Sequence, residues 1–194
     1  MKKSRIIGIM LAAAVLSVAV IGGGALLRVD KWAQDTLFQR PGHASTEIVI
    51  IGIDEKALRE LGPWPWSREV MGDALCVLAS DPEHRPAVTA LDVLYAGASA
   101  DPGADAYLAN AAALLGNVVT ASMAEFGEEI TWEDGRALSS DGAAVLGYVP
   151  PFEALAQQTV QGHINAMLDR DGVLRHALLY VEPTPGSRVY SMAC

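Results

Sequence analysis

Apolar and polar positions follow three different rhythms along this chain. From Ile6 to Leu27 no charged residue occurs across 22 positions, enough to cross roughly 30 Å of hydrocarbon as a helix. Residues 28–40 keep helical spacing, with Val29, Trp32, Ala33, Thr36 and Leu37 roughly along one side. They predict a membrane-proximal helix that Pro41-Gly42 ends. Residues 48–53 are a short, β-branched apolar run, which fits a strand buried on both faces in a parallel sheet. Asp54 is placed to cap a short helix that Gly62-Pro63 stops. Trp64-Pro65-Trp66 cannot be regular helix, because prolines flank the first Trp. Ser67 then caps a second helix with Val70, Met71, Ala74, Leu75 and Leu78 at helical spacing.

The alternation continues downstream. Residues 80–86 form a polar turn, and residues 88–95 a second strand with Asp92 in its latter half. Asp101-Pro102 is a cap followed by a proline at the first helical position, with Ala104, Leu108, Ala111 and Leu115 on one face of the helix. Residues 118–124 give a third strand. Strand, helix, strand, helix, strand with short loops predicts parallel pairing with right-handed crossovers. Residues 125–147 are acidic and lack a clear period, reading as loops or a small hairpin. Pro150-Pro151 opens a short helix. Residues 162–168 and 173–181 are strand-like around the turn signal Asp169-Arg170-Asp171-Gly172, predicting an antiparallel hairpin. The expected fold is therefore α/β: a mostly parallel central sheet flanked by helices, with an added antiparallel hairpin, preceded by one transmembrane helix. The expected divisions are residues 1–5, a span at 6–27, a membrane-proximal helix at 28–41 and a domain at 42–194.

Composition sharpens this picture. At 194 residues and 51% hydrophobic content, the chain can bury one respectable core. A net charge of −9 and a pI near 4.8 argue against nucleic acid as a partner, since a phosphate backbone demands a basic surface. Lys2, Lys3 and Arg5 precede the apolar run, while Asp30 and Asp35 follow it. The positive-inside rule then places the N-terminus in the cytoplasm and the domain outside it, at the cell membrane. A cleaved secretory signal is the alternative, although the run exceeds the usual apolar core of such signals. Cys76 and Cys194 make no disulfide framework, and Cys76 reads as a buried, inert thiol. The segment VYSMAC at 189–194 resembles the opening of an element, so the chain is expected to continue beyond Cys194.

An apolar strand ending in Asp, a short helix and then Leu61-Gly62-x-Trp64-Pro65-Trp66-x-Arg68 resembles the second type of CHASE domain. That module is an extracellular sensory domain attached to cyclases, histidine kinases and other bacterial signalling outputs. VTALDVLY at 88–95, GHINAMLDRDGVLRHALL at 162–179 and Tyr190-Ser191 are similar to its later blocks, in order, from about Asp35 to the end. The resemblance implies further membrane helices, a cytoplasmic cyclase or kinase output and a homodimeric receptor. It makes Asn165, Asp171 and Arg175 characteristic positions, without revealing whether they bind or brace.

The candidate ligand-binding residues are Asp54, Trp64, Trp66, Arg68, Asp92, Asn165, Asp171 and Arg175. Asp54 and Asp92 lie near the C-terminal ends of predicted strands, where ligands collect in open α/β sheets. Either they share a metal or hydrogen-bond a polar ligand, or Asp54 caps a helix while Asp92 pairs with an arginine such as Arg68 or Arg175. Trp64, Trp66 and Arg68 either clamp an anionic or planar ligand or fill the core edge and fix the loop. Lys56 occupies the position where an aspartyl phosphotransferase of this layout would want a second Asp. Asp169, Asp171 and Gly172 stop short of a calcium loop. No zinc spacing, nucleophile elbow or phosphate loop occurs outside the apolar span. No cofactor or catalytic set is therefore expected in this piece. The leading reading is a sensory input domain for an unknown small-molecule or other extracytoplasmic ligand. An anchored enzyme using Asp54 and Asp92, or a structural envelope protein, stands as the alternative.

Overall fold

The computed structural model describes residues 2–22, 25–38, 45–127, 130–133, 136–139, 144–169 and 172–192. The chain divides into two compact units, Met1–Ile53 and Asp54–Cys194. The first holds helices α1 (Lys2–Gly22) and α2 (Ala25–Phe38). The expected single span over 6–27 is thus shared between two helices. Among the described residues, no helix is long and apolar enough to cross a membrane. In α2, Gln34 Nε2 donates to Asp30 Oδ2 at 3.0 Å, a helical i,i+4 contact, while Val29, Trp32 and Leu37 are exposed. The Pro41-Gly42 terminator lies outside the described residues.

Residues 48–53 depart most from expectation. They form no strand, and Ile48, Val49, Ile50 and Ile51 are all exposed. An apolar β-branched run supplies strand propensity, but a strand exists only through hydrogen bonds to a neighbour, and this segment makes none among the described residues.

The second unit carries the alternation. α3 (Glu55–Leu61) is capped by Asp54, whose Oδ1 accepts from Ala57 N at 2.8 Å, and it ends at Gly62. α4 (Arg68–Ala79) starts at Ser67, whose hydroxyl accepts from Glu69 N. β1 (Thr89–Leu91) is shorter than the predicted strand, so Asp92 lies just past its end. α5 (Pro102–Leu115) begins at the Asp101 cap, whose Oδ1 accepts from Gly103 N and Ala104 N. β2 (Val118–Gly127) comes next.

Beyond β2 come β3 (Ile130–Glu133), β4 (Arg136–Ser139), β5 (Ala144–Val149), α6 (Glu153–Ala156) and β6 (Val160–His163). β1 and β6 both pair parallel with β2, while β5 pairs with it antiparallel across a bulge at Glu125/Phe126. β3 and β4 form the small hairpin expected between residues 125 and 147. The sheet is mostly parallel, as the alternation implied.

The C-terminal hairpin is displaced from its predicted position. It is built from β7 (Tyr180–Thr184) and β8 (Ser187–Tyr190), turning at Gly186 with φ +81°. The described residues flanking the predicted 169–172 turn are nevertheless joined. Gly172 N donates to Asp169 O at 2.8 Å, Asp169 N donates to Val173 O at 3.0 Å, and a single antiparallel bridge joins Met167 to His176. Its arms do not zip further, because residue 163 is committed to the parallel sheet and residues 180–184 to β8.

The core lies where α4, α5 and α6 meet β1 and β2. Leu75, Leu108, Ala112, Leu115, Val118, Phe152 and Leu155 are buried there. α5 contributes a broad stripe of small residues, Ala104, Ala109, Ala111 and Ala112, so neighbouring backbones approach closely. Gly72 of α4 meets the Tyr107 ring so closely that a Cβ there would sit 2.6 Å from Tyr107 Cδ1.

Candidate functional site

The loop between α3 and α4 builds one wall of a cleft of about 460 Å³. Trp66 fixes this loop by donating from Nε1 to Gly62 O at 2.8 Å. The Trp64 and Trp66 rings meet edge to face, 5.4 Å apart at 71°, and the Trp64–Pro65 peptide is cis. Val93, Leu94, Tyr95 and Ala96 also line it, as do Ser99 to Asp101 with Ala104.

Arg68 lies at the centre, and its charge is already engaged. It pairs with Asp105 of α5, both side chains being about nine-tenths buried, and donates from Nη2 to Gly97 O at 2.7 Å. Its guanidinium carbon lies 4.2 Å from the Phe152 ring centroid and 5.6 Å from that of Tyr95. The other Asp105 oxygen accepts from Ser99 N at 2.9 Å. Burial pushes the Asp105 carboxyl up, but the hydrogen bonds from Ser99 and the charge and hydrogen bond of Arg68 together outweigh it. They hold the carboxyl below its ordinary range. Burial raises the Tyr95 phenol, and Arg68 partly opposes that.

Of the residues singled out in sequence, the cleft gathers Trp64, Trp66 and Arg68. Asp54 is an exposed helix cap, and Asp92 is exposed just past β1; neither lines the cleft. Arg68 pairs with Asp105, and Arg175 pairs with Asp169 at 2.8 Å, so neither is an Asp92 partner as the pairing reading had it. Asn165 splints the edge of β2: its Oδ1 accepts from Ala124 N at 2.8 Å and its Nδ2 donates to Ala124 O at 2.7 Å. Arg175, its side chain buried, clasps the 169–173 turn from inside. Asp171 lies outside the described residues. Among the described residues, no three His, Cys, Asp or Glu side chains gather in a way that would hold a metal ion.

Sequence reasoning missed Asp105, Ser99, Tyr95 and Phe152. Asp105 sits in the first turn of α5, where an acidic residue already has a local explanation in the helix dipole. Only its burial reveals a second role.

The described residues thus form an α/β domain with a mostly parallel sheet, a Trp-Pro-Trp loop fixed by Trp66 and an Arg175–Asp169 pair. The chain matches the CHASE2 domain over residues 10–194 and belongs to that family. CHASE2 domains are extracellular sensory domains, so the role of this chain is sensory. Comparison with curated proteins and with solved structures returned no match.

Proposed function

We propose that this chain is the extracytoplasmic input domain of a membrane-bound bacterial receptor, acting as a homodimer on a cyclase or kinase output carried beyond Cys194. The observation that carries this reading is the family match across nearly the whole chain. The described part of α1 falls short of a span by itself. The charge-free run at 6–27 reaches the required length. Ile6, Ile9, Leu11, Val15 and Val18 are exposed along α1, which has no polar face to turn to water. The basic residues before the run and the acidic ones after it favour a cytoplasmic N-terminus.

The Trp64–Arg68 cleft is the proposed ligand site. Its walls are mainly apolar and its one arginine is neutralised by Asp105, so it suits a small, uncharged, planar molecule better than an anion. An export-dependent reporter fused after Pro41 tests the topology, and activity is expected only outside the cytoplasm. Cytoplasmic behaviour of that fusion would overturn the receptor reading.

A further inference from the structure

His163 closes β6 at a three-way joint. It is the parallel partner of Ser122 on β2 and forms a parallel bridge with Ser191 just beyond β8. Ile164 N donates to Ser122 O at 2.9 Å, and Met192 N donates to His163 O at 3.0 Å. The seat is tight: a Cβ on neighbouring Gly162 would lie 3.0 Å from Met192 Cα and 3.1 Å from Val119 Cγ1. The His163 side chain is fully buried, and so is that of Ser122. Neither ring nitrogen of His163, nor Ser122 Oγ, has a hydrogen-bond partner of normal geometry among the described residues.

Burial disfavours the charged form of a histidine in that position. β2 faces it with Ser122, the end of β8 with Ser191 and Met192, and residues 178–179 with their backbone. None of these is ionisable, and among the described residues burial and the backbone of Leu178 and Leu179 are what shift its titration. Burial lowers its pKa, while the backbone of Leu178 and Leu179 favours the protonated ring without outweighing burial. The fold therefore holds a neutral imidazole where an imidazolium would have no counter-charge.

We propose that His163 is a proton-operated latch between the central sheet and the C-terminal hairpin β7–β8. The neutral ring lets the end of β8 seat on β6. A proton from solvent reaches a ring nitrogen only when that end lifts, and it then holds the joint open. The sign comes from linkage. The open joint, with a solvated ring, binds the proton near the ordinary value of about 6.5, and the closed joint binds it only at lower pH. Opening is thus favoured as pH falls below about 6.5, by up to about tenfold per pH unit, until the closed joint itself titrates. A domain facing the exterior would be exposed to such changes. The latch is a property of the folded domain, so its test does not depend on the topology or output of a receptor.

Amide hydrogen exchange on the whole chain in detergent, corrected for intrinsic rates, provides that test. Between about pH 7.5 and about pH 5.5, protection of the Ile164 and Met192 amides should fall by about tenfold, while α5 amides stay protected. His163→Phe should remove this dependence, and His163→Gln, polar but uncharged at every pH, should remove it as well. Protection that does not change with pH in the native chain would overturn the latch. Equal acid loosening in a folded His163 variant would do the same, as would simultaneous loss across α5.

Discussion

Arg68 and Asp105 are 37 positions apart, yet they make the pair on which the cleft is built. Each is buried, and each has a further partner, Gly97 O for the arginine and Ser99 N for the carboxylate. Removing one charge would strand the other. Arg68→Met should cost about 3–5 kcal/mol in urea unfolding, with Asp105 left uncompensated. Adding Asp105→Asn, which keeps an acceptor for Ser99 N, should recover a substantial part; a double variant as unstable as the single one would show that the charge pair is not the cause. The Asp105 carboxyl is held low in the folded state, so its contribution is complete above about pH 4 and is lost as pH falls through its folded value. In the double variant that part of the acid sensitivity should disappear. Pairing also decides ligand chemistry: a neutralised guanidinium under two aromatic rings is a brace, and the exposed Trp64 is left as the surface a ligand would meet.

At the scale of elements, α5 organises the domain. Its cap, its N1 proline and its stop at Gly116 are all local, and each satisfies backbone groups that a helix end leaves orphaned. Its apolar face does the packing, with Leu108 fully buried between α4 and the rest of the core. Leu108→Ala should destabilise the domain by about 2–5 kcal/mol, the usual cost of an unfilled leucine cavity, read as a lower midpoint of thermal unfolding. A shift smaller than that would mean the small residues around it collapse into the space. The 169–173 turn and the β7–β8 hairpin show the opposite balance. Two turn signals, Asp-Gly at 171–172 and Pro-Gly at 185–186, lie close together in the chain, and the paired hairpin forms around the second.

For the molecule as a whole, the proposed receptor would have to change the arrangement of membrane helices when ligand binds its two states unequally. α2 is the covalent route from the N-terminal helix toward the domain. Inserting one residue near Gln34 would rotate the C-terminal end of α2 by roughly 100° without touching the core of the second unit. Output of the proposed receptor is expected to change or to lose its ligand response. Unaltered, ligand-dependent output would make α2 a tether and send the signal through other helices.

Features settled within a few residues of one another could be read from the chain alone. The Asp54, Ser67 and Asp101 caps, the stop at Gly62, the α5 stripe and the βα alternation from residue 88 onward were legible, because a cap reaches only two or three residues and a helical face repeats every turn. The family, too, was legible in the Trp-Pro-Trp and Asp-x-Asp-Gly-x-x-Arg blocks. It took the folded arrangement to establish that Arg68 answers to Asp105, that Asn165 splints Ala124, that residues 48–53 make no strand and that the buried His163 ring has no hydrogen-bond partner of normal geometry among the described residues. Ion pairs, strand neighbours and burial are properties of two or more distant segments brought together. A residue such as Asp105, already explained by its own helix, gives no local sign of the second role that distance conceals.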